Sequence, residues 1–210
     1  MLPSLPIMIA SFSLLASTAG APQWDNNEKL LSTRTMSLET RHPAPLANNV
    51  YKDNILLNLA YLDGRVKAKS DINWEYLRRP YVFEFRLNPG ETFSYHEVVL
   101  PEYNGLNTKN TNAHFNGLEG FKSDGYLMGN GVCHLASLIH WSATDAGLLS
   151  VAPTNHNFAN IPEVPREYGV SIYSTSPTQN LYITNNLDSQ VIFRFQYIDN
   201  ELTTSVLEVN

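Results

Sequence analysis

The stretch Gly129-Asn130-Gly131-Val132-Cys133-His134-Leu135-Ala136-Ser137-Leu138-Ile139-His140-Trp141-Ser142-Ala143-Thr144-Asp145-Ala146-Gly147 decides how this chain reads. Gly129 and Gly131 permit a sharp turn, an apolar helical run follows, and Gly147 is a natural stop. Cys133, the only cysteine of the chain, stands at the start of that helix. Unpaired N–H groups and the helix dipole favour negative charge there, which lowers the pKa of a thiol. The same donors near Gly131 can serve as an oxyanion hole. Cys133 therefore has two readings, an activated nucleophile or a small buried apolar side chain.

A nucleophilic cysteine needs a base within hydrogen-bond reach. His134 is adjacent and points elsewhere on a helix. His140 shares the face of Cys133 but lies two turns away, on the order of 10 Å. His156 is better placed, because the chain has room after Gly147 to return to the helix start. His96 and His114 precede the helix and are further candidates to converge on it. The order cysteine, helix, histidine is similar in layout to papain-like and transglutaminase-like cysteine enzymes. The other reading of His156 is a loop residue in a Thr-Asn-His-Asn turn. No His-x-x-x-His or Cys-x-x-Cys spacing is present, so neither a metal nor a cofactor is expected.

Working outward, 47–66 carries Ile55, Leu59, Leu62 and Val66 at helical spacing and is the expected N-terminal helix. Residues 67–79 read as an excursion or short helix. Tyr81 to Leu87 alternates as a strand should, Asn88-Pro89-Gly90 is a turn, and 93–98 is a further extended piece. Residues 102–125, rich in Asn and Gly, read as a long surface loop. Beyond the cysteine helix, 170–173, 181–184, 191–197 and 203–209 are expected strands, the last two joined at Asp199-Asn200. The expected fold is α+β, a central Cys-bearing helix packed on a mostly antiparallel sheet.

The bulk numbers agree with one globular domain. Of 210 residues 43% are hydrophobic and 16% charged, which excludes a disordered chain. The net charge of −6 is spread along the chain without a Lys/Arg cluster, so no nucleic-acid partner is expected. Residues 1–24 carry no charged side chain, and Leu5 to Leu15 is an apolar run too short to span a bilayer. Ala19-Gly20-Ala21 suits signal-peptide cleavage. The expected division is 1–21 as signal peptide or apolar arm, 22–45 as leader, and 46–210 as the domain, with no transmembrane helix.

Four stretches carry a resemblance to the VanW-like family, named for a protein found in some vancomycin-resistance gene clusters. Arg41-His42-Pro43, Leu46 and the Asn54 to Leu62 helix resemble its entry segment. Asn88-Pro89-Gly90-Glu91-Thr92-Phe93-Ser94-Tyr95 resembles its Pro-Gly-Glu-x-Phe-Ser-aromatic motif. Gly129 to Leu148 is similar to its glycine-rich, cysteine-bearing helix ending Ala-Gly-Leu, and His156-Asn157-Phe158 to its His-Ser-aromatic motif. The chain departs at His134, where the family usually has Gln, at Ala136, where it has Ser, and at Asn180, where Asp is common; 67–81 looks like an insertion.

The resemblance implies a protein of the bacterial cell envelope, often exported, or a cytoplasmic one if the N-terminal segment is no signal. One expectation is a cysteine-dependent amide hydrolase or acyl transferase acting on peptidoglycan peptides. Cys133 would attack, His156 act as base and Asn180 orient the imidazole, with Gly129, Asn130, Gly131, His134, His96 and Tyr95 contacting substrate. The other is a non-catalytic module that binds peptidoglycan, a cell-wall peptide or a glycopeptide, using the 102–125 loop with Tyr103, Phe115 and Phe121. A scaffolding role has no specific support.

Overall fold

The computed structural model describes residues 27–210; the signal-peptide or apolar-arm expectation falls outside them. Strand β1 (Glu28–Ser37) leads to helix α1 (Pro45–Leu62), a short α2 (Trp74–Leu77) and strand β2 (Tyr81–Leu87). Then follow β3 (Thr92–Ser94), β4 (Asn107–Lys109), helix α3 (Val132–Asp145), β5 (Leu149–Val151), β6 (Tyr182–Thr184), β7 (Val191–Ile198) and β8 (Glu201–Val209). One sheet has the order β1-β8-β7-β2 and is antiparallel throughout. The other has the order β4-β3-β6-β5, with β3 and β4 parallel and the remaining pairs antiparallel. This is the expected α+β class. Among the described residues no helix is long and apolar enough to cross a membrane.

The alternation in β2 and β7 explains the core. Phe85 faces Phe193 and Phe83 faces Phe195 across the ladder, with ring centroids 4.9 and 5.4 Å apart. Phe93 from β3 stacks on Phe85 at 5.1 Å, so the aromatic cluster bridges the two sheets. Such pairs add about 0.5–1.5 kcal/mol each beyond the apolar area they bury. The β7–β8 hairpin turns at Asp199 and Asn200, both with positive φ (52° and 65°), as a two-residue type I′ connection requires.

Several segments differ from expectation. The stretch 22–45, read as a leader, contains β1, which forms an edge of the main sheet through its register with β8. Its periodicity is masked because polar residues alternate with only a few buried ones, Ser32, Met36 and Leu38 among them. Residues 170–173, expected as a strand, run extended beside α3 without joining a ladder. Two of their N–H groups bond to helix side chains instead: Val170 donates to Ser137 Oγ at 2.8 Å and Ile172 to Cys133 Sγ at 3.4 Å. Strand β5, not foreseen, pairs with β6.

Helix α3 lies over β1 and β8 and against α1. Its C-terminal half is pinned to β1: Ser32 Oγ donates to Ser142 O at 2.6 Å, Arg34 pairs with Asp145, and the Arg34 guanidinium lies 4.7 Å from the Trp141 ring centroid. Its N-terminal end meets α1 and opens into a cleft.

Candidate functional site

The start of α3 is built by close approach. Gly131 is its N-cap, with φ 100° and no side-chain cap. A Cβ at this position would stand 2.6 Å from the Tyr51 carbonyl oxygen of α1, so only glycine lets the two helices meet here. Asn54 of α1 fixes the incoming loop by donating to Lys122 O and Asn130 O and accepting from Lys122 N. Tyr95 supports the helix from behind, donating to Val132 O at 3.1 Å.

In front of this helix start lies a cavity of about 920 Å³. Gly129, Asn130, Gly131, Cys133, His134, His156 and His114 all line it, as do Arg41, His42, Tyr51 and Phe115. Leu127, Met128, Phe158 and Tyr173 form part of its wall and are 46–71% exposed. A concave site of this size, with apolar walls and a few polar groups, has the dimensions of a ligand pocket.

Cys133 is a part-exposed residue, but its sulfur rests against the 170–173 segment, accepting from Ile172 N. Burial pushes the thiol up to about 11, and the hydrogen bond from Ile172 offsets only part of that. The thiolate expected from the helix start is thus disfavoured, because desolvation outweighs the helix N-terminus. His156 bonds through Nδ1 to Ala159 O at 3.2 Å, which places the proton on Nδ1 and leaves Nε2 as the acceptor. Its ring lies 4.0 Å from that of Phe158, and burial lowers its pKa.

His134 is a confined group of the cavity. It is 6% exposed, its ring sits 5.0 Å from Tyr51 and 6.4 Å from His156, and its Nδ1 is buried without a hydrogen-bond partner. Burial, then the charge of Arg41, push its pKa down to about 3, so it is neutral at physiological pH. The expectation that a residue next to Cys133 points elsewhere misses that both side chains reach one cavity wall.

Three expected site residues lie elsewhere. Tyr95 is fully buried and bonded to Asn58 and Val132. His96 is 1% exposed and bonds through Nε2 to Gln179 O. Asn180, expected to orient His156, instead ties down the 96–98 segment: its Oδ1 accepts from His96 N and Leu181 N, and its Nδ2 donates to His96 O and Val98 O. Of the loop aromatics, Phe115 reaches the cavity, whereas Tyr103 stacks on Tyr182 at 4.0 Å and Phe121 packs against Tyr61. Sequence reasoning had no local signal for Tyr51 or Tyr173, and placed Arg41 and His42 only through the family's entry segment. Among the described residues no group of three or more His, Cys, Asp and Glu side chains is arranged to hold a metal ion.

Comparison with curated proteins and with solved structures gave no match. A protein-family model, VanW like protein, matches residues 80–207. That span takes in the Pro-Gly-Glu turn, the whole of α3 with Cys133, and the His156-Asn157-Phe158 segment, while Arg41 and α1 precede it. The match covers more than half of the chain, and the chain belongs to the VanW-like family.

Proposed function

We propose that the cleft at the start of α3 binds a peptide or glycopeptide of the cell envelope, and that the chain acts there as a binding module. The observation that carries this reading is the cleft itself: about 920 Å³, with Leu127, Met128, Phe158 and Tyr173 held exposed along its wall. Clustered exposed apolar side chains around a concavity are costly in water and are typical of ligand sites. Asn116, Asn130, Asn160 and Gln179 add amide groups that suit peptide and sugar hydrogen bonding. Cys133 then acts as a hydrogen-bonded wall residue that holds Ile172 in place.

The test is retention of soluble muropeptides on the immobilised full chain. Cys133→Ala should fold and retain them as the parent does, and Phe158→Ala should weaken retention several-fold. Loss of retention in a folded Cys133→Ala protein would contradict the reading.

A second reading, a cysteine-dependent amide hydrolase or acyl transferase, is favoured by one observation: Cys133 and His156 line the same cavity. It requires a thiolate that the surroundings of Cys133 disfavour.

A further inference from the structure

The lining of the cleft is at odds with the composition of the chain. The protein has 20 Asp and Glu against 14 Lys and Arg, yet no carboxylate is among the residues lining the cavity. Arg41 and four of the six histidines, His42, His114, His134 and His156, line it instead. The nearby acids stand one layer out: Glu163 pairs with Arg41 at 2.8 Å, Glu97 and Glu119 with His114, and Asp124 acts on Tyr51 from a distance.

Two buried donor-capable atoms at the cavity wall have no hydrogen-bond partner. One is His134 Nδ1, in a residue 6% exposed; the other is Arg41 Nε, in a residue 2% exposed. A buried polar atom left unsatisfied is costly and in a native protein calls for an explanation. The start of α3, with no side-chain cap, adds oriented N–H groups and the positive end of its dipole at the same wall. A neutral imidazole N–H, a guanidinium already shared with Glu163 and a helix N-terminus together suit one negative charge. The apolar wall around them suits the body of an amino-acid residue.

We propose that the floor of the cleft, at the start of α3 beside His134 and Arg41, receives the carboxylate end of a short peptide. The proposal rests on the binding reading above and specifies which part of the ligand is recognised. His134 Nδ1 has almost no accessible surface as the ring stands, so the imidazole, which lines the cavity, must turn toward the carboxylate on binding, and this gives Nδ1 the acceptor it lacks.

The experiment uses the full chain and three probes: N-acetyl-trialanine with a free carboxylate, its C-terminal amide, and acetate. The imidazole proton signals of His134 and His156 are followed by NMR during titration. The free-carboxylate peptide should shift both in a saturable way, with the amide and acetate at least tenfold weaker. His134→Phe, which keeps a ring in place, should weaken that peptide at least tenfold and raise Tm, because it removes an unsatisfied buried atom. Arg41→Lys gives a second variant, with weakened binding expected as well.

Equal affinity for the acid and the amide overturns the carboxylate proposal and leaves the cleft a binding site. Acetate binding as tightly as the peptide overturns the peptide part. Absence of binding by all three probes also overturns the proposal; retention of muropeptides then decides separately whether the binding reading stands. A lower Tm in His134→Phe shows that Nδ1 already serves the fold, and overturns the premise.

Discussion

The buried polar clusters around His96 and His134 are built in opposite ways. Around His96, every polar group is answered: Asn180 accepts two backbone N–H groups and donates to two carbonyls, and the His96 ring bonds to Gln179 O. Around His134, Nδ1 and Arg41 Nε are left without partners beside a cavity of about 920 Å³. The satisfied cluster locks the chain after β3 to the segment entering β6. The unsatisfied one belongs to residues that line the cleft. Burial alone therefore does not distinguish the two histidines; the state of their hydrogen bonds does.

The comparison breaks if the His96 cluster proves dispensable. Asn180→Ala strands several buried backbone groups at once and should cost roughly 4 kcal/mol of stability, read by urea denaturation. Near-parent stability would show that the network is not structural. Gly131→Ala should cost roughly 3 kcal/mol, because its Cβ would meet the Tyr51 carbonyl at 2.6 Å from a φ of 100°. The cavity wall should be distorted in the fraction that folds, so muropeptide retention should fall as well.

Acid sharpens the contrast further. The His134 pKa is pushed down to about 3 and that of His140 to about 4, both below the usual 6.5, by burial. In this range the unfolded chain binds more protons than the folded one, so stability is full above about pH 6.5 and falls with pH below it. Each such group contributes at most about 1.4 kcal/mol per pH unit. His96 and His156, also lowered, act in the same sense. His114 acts in the opposite one, because Glu119 and Glu97 raise its pKa. Denaturation at pH 7, 6 and 5 should show the loss, and His134→Phe should make it shallower. An unchanged slope in that variant would place His134 outside the buried neutral state.

Much of the frame was legible in the sequence because its strands alternate cleanly. Phe83, Phe85, Phe193 and Phe195 declare β2 and β7, and Gly131 and Gly147 bracket α3. β1 escaped because an edge strand packed under a helix needs few apolar residues. Residues 170–173 misled because Val170 and Ile172 look like strand residues but give their N–H groups to Ser137 and Cys133. At the site, Cys133, His156 and the glycines were foreseen as a group and do line one cleft. The electrostatics were not legible: a helix start signals a thiolate, whereas desolvation is set by long-range packing. The partner of Asn180 was equally hidden, since the sequence names an amide but not which histidine lies beside it.

On the binding reading, the cleft works without an activated thiol. The most direct measurement is the rate of Cys133 alkylation by iodoacetamide as a function of pH, in the parent protein and in His156→Ala. Reactivity should keep rising through pH 9 toward a midpoint of about 11, with the same profile in both proteins. A midpoint below pH 8 that shifts upward in His156→Ala would contradict it and establish Cys133 as a nucleophile served by His156.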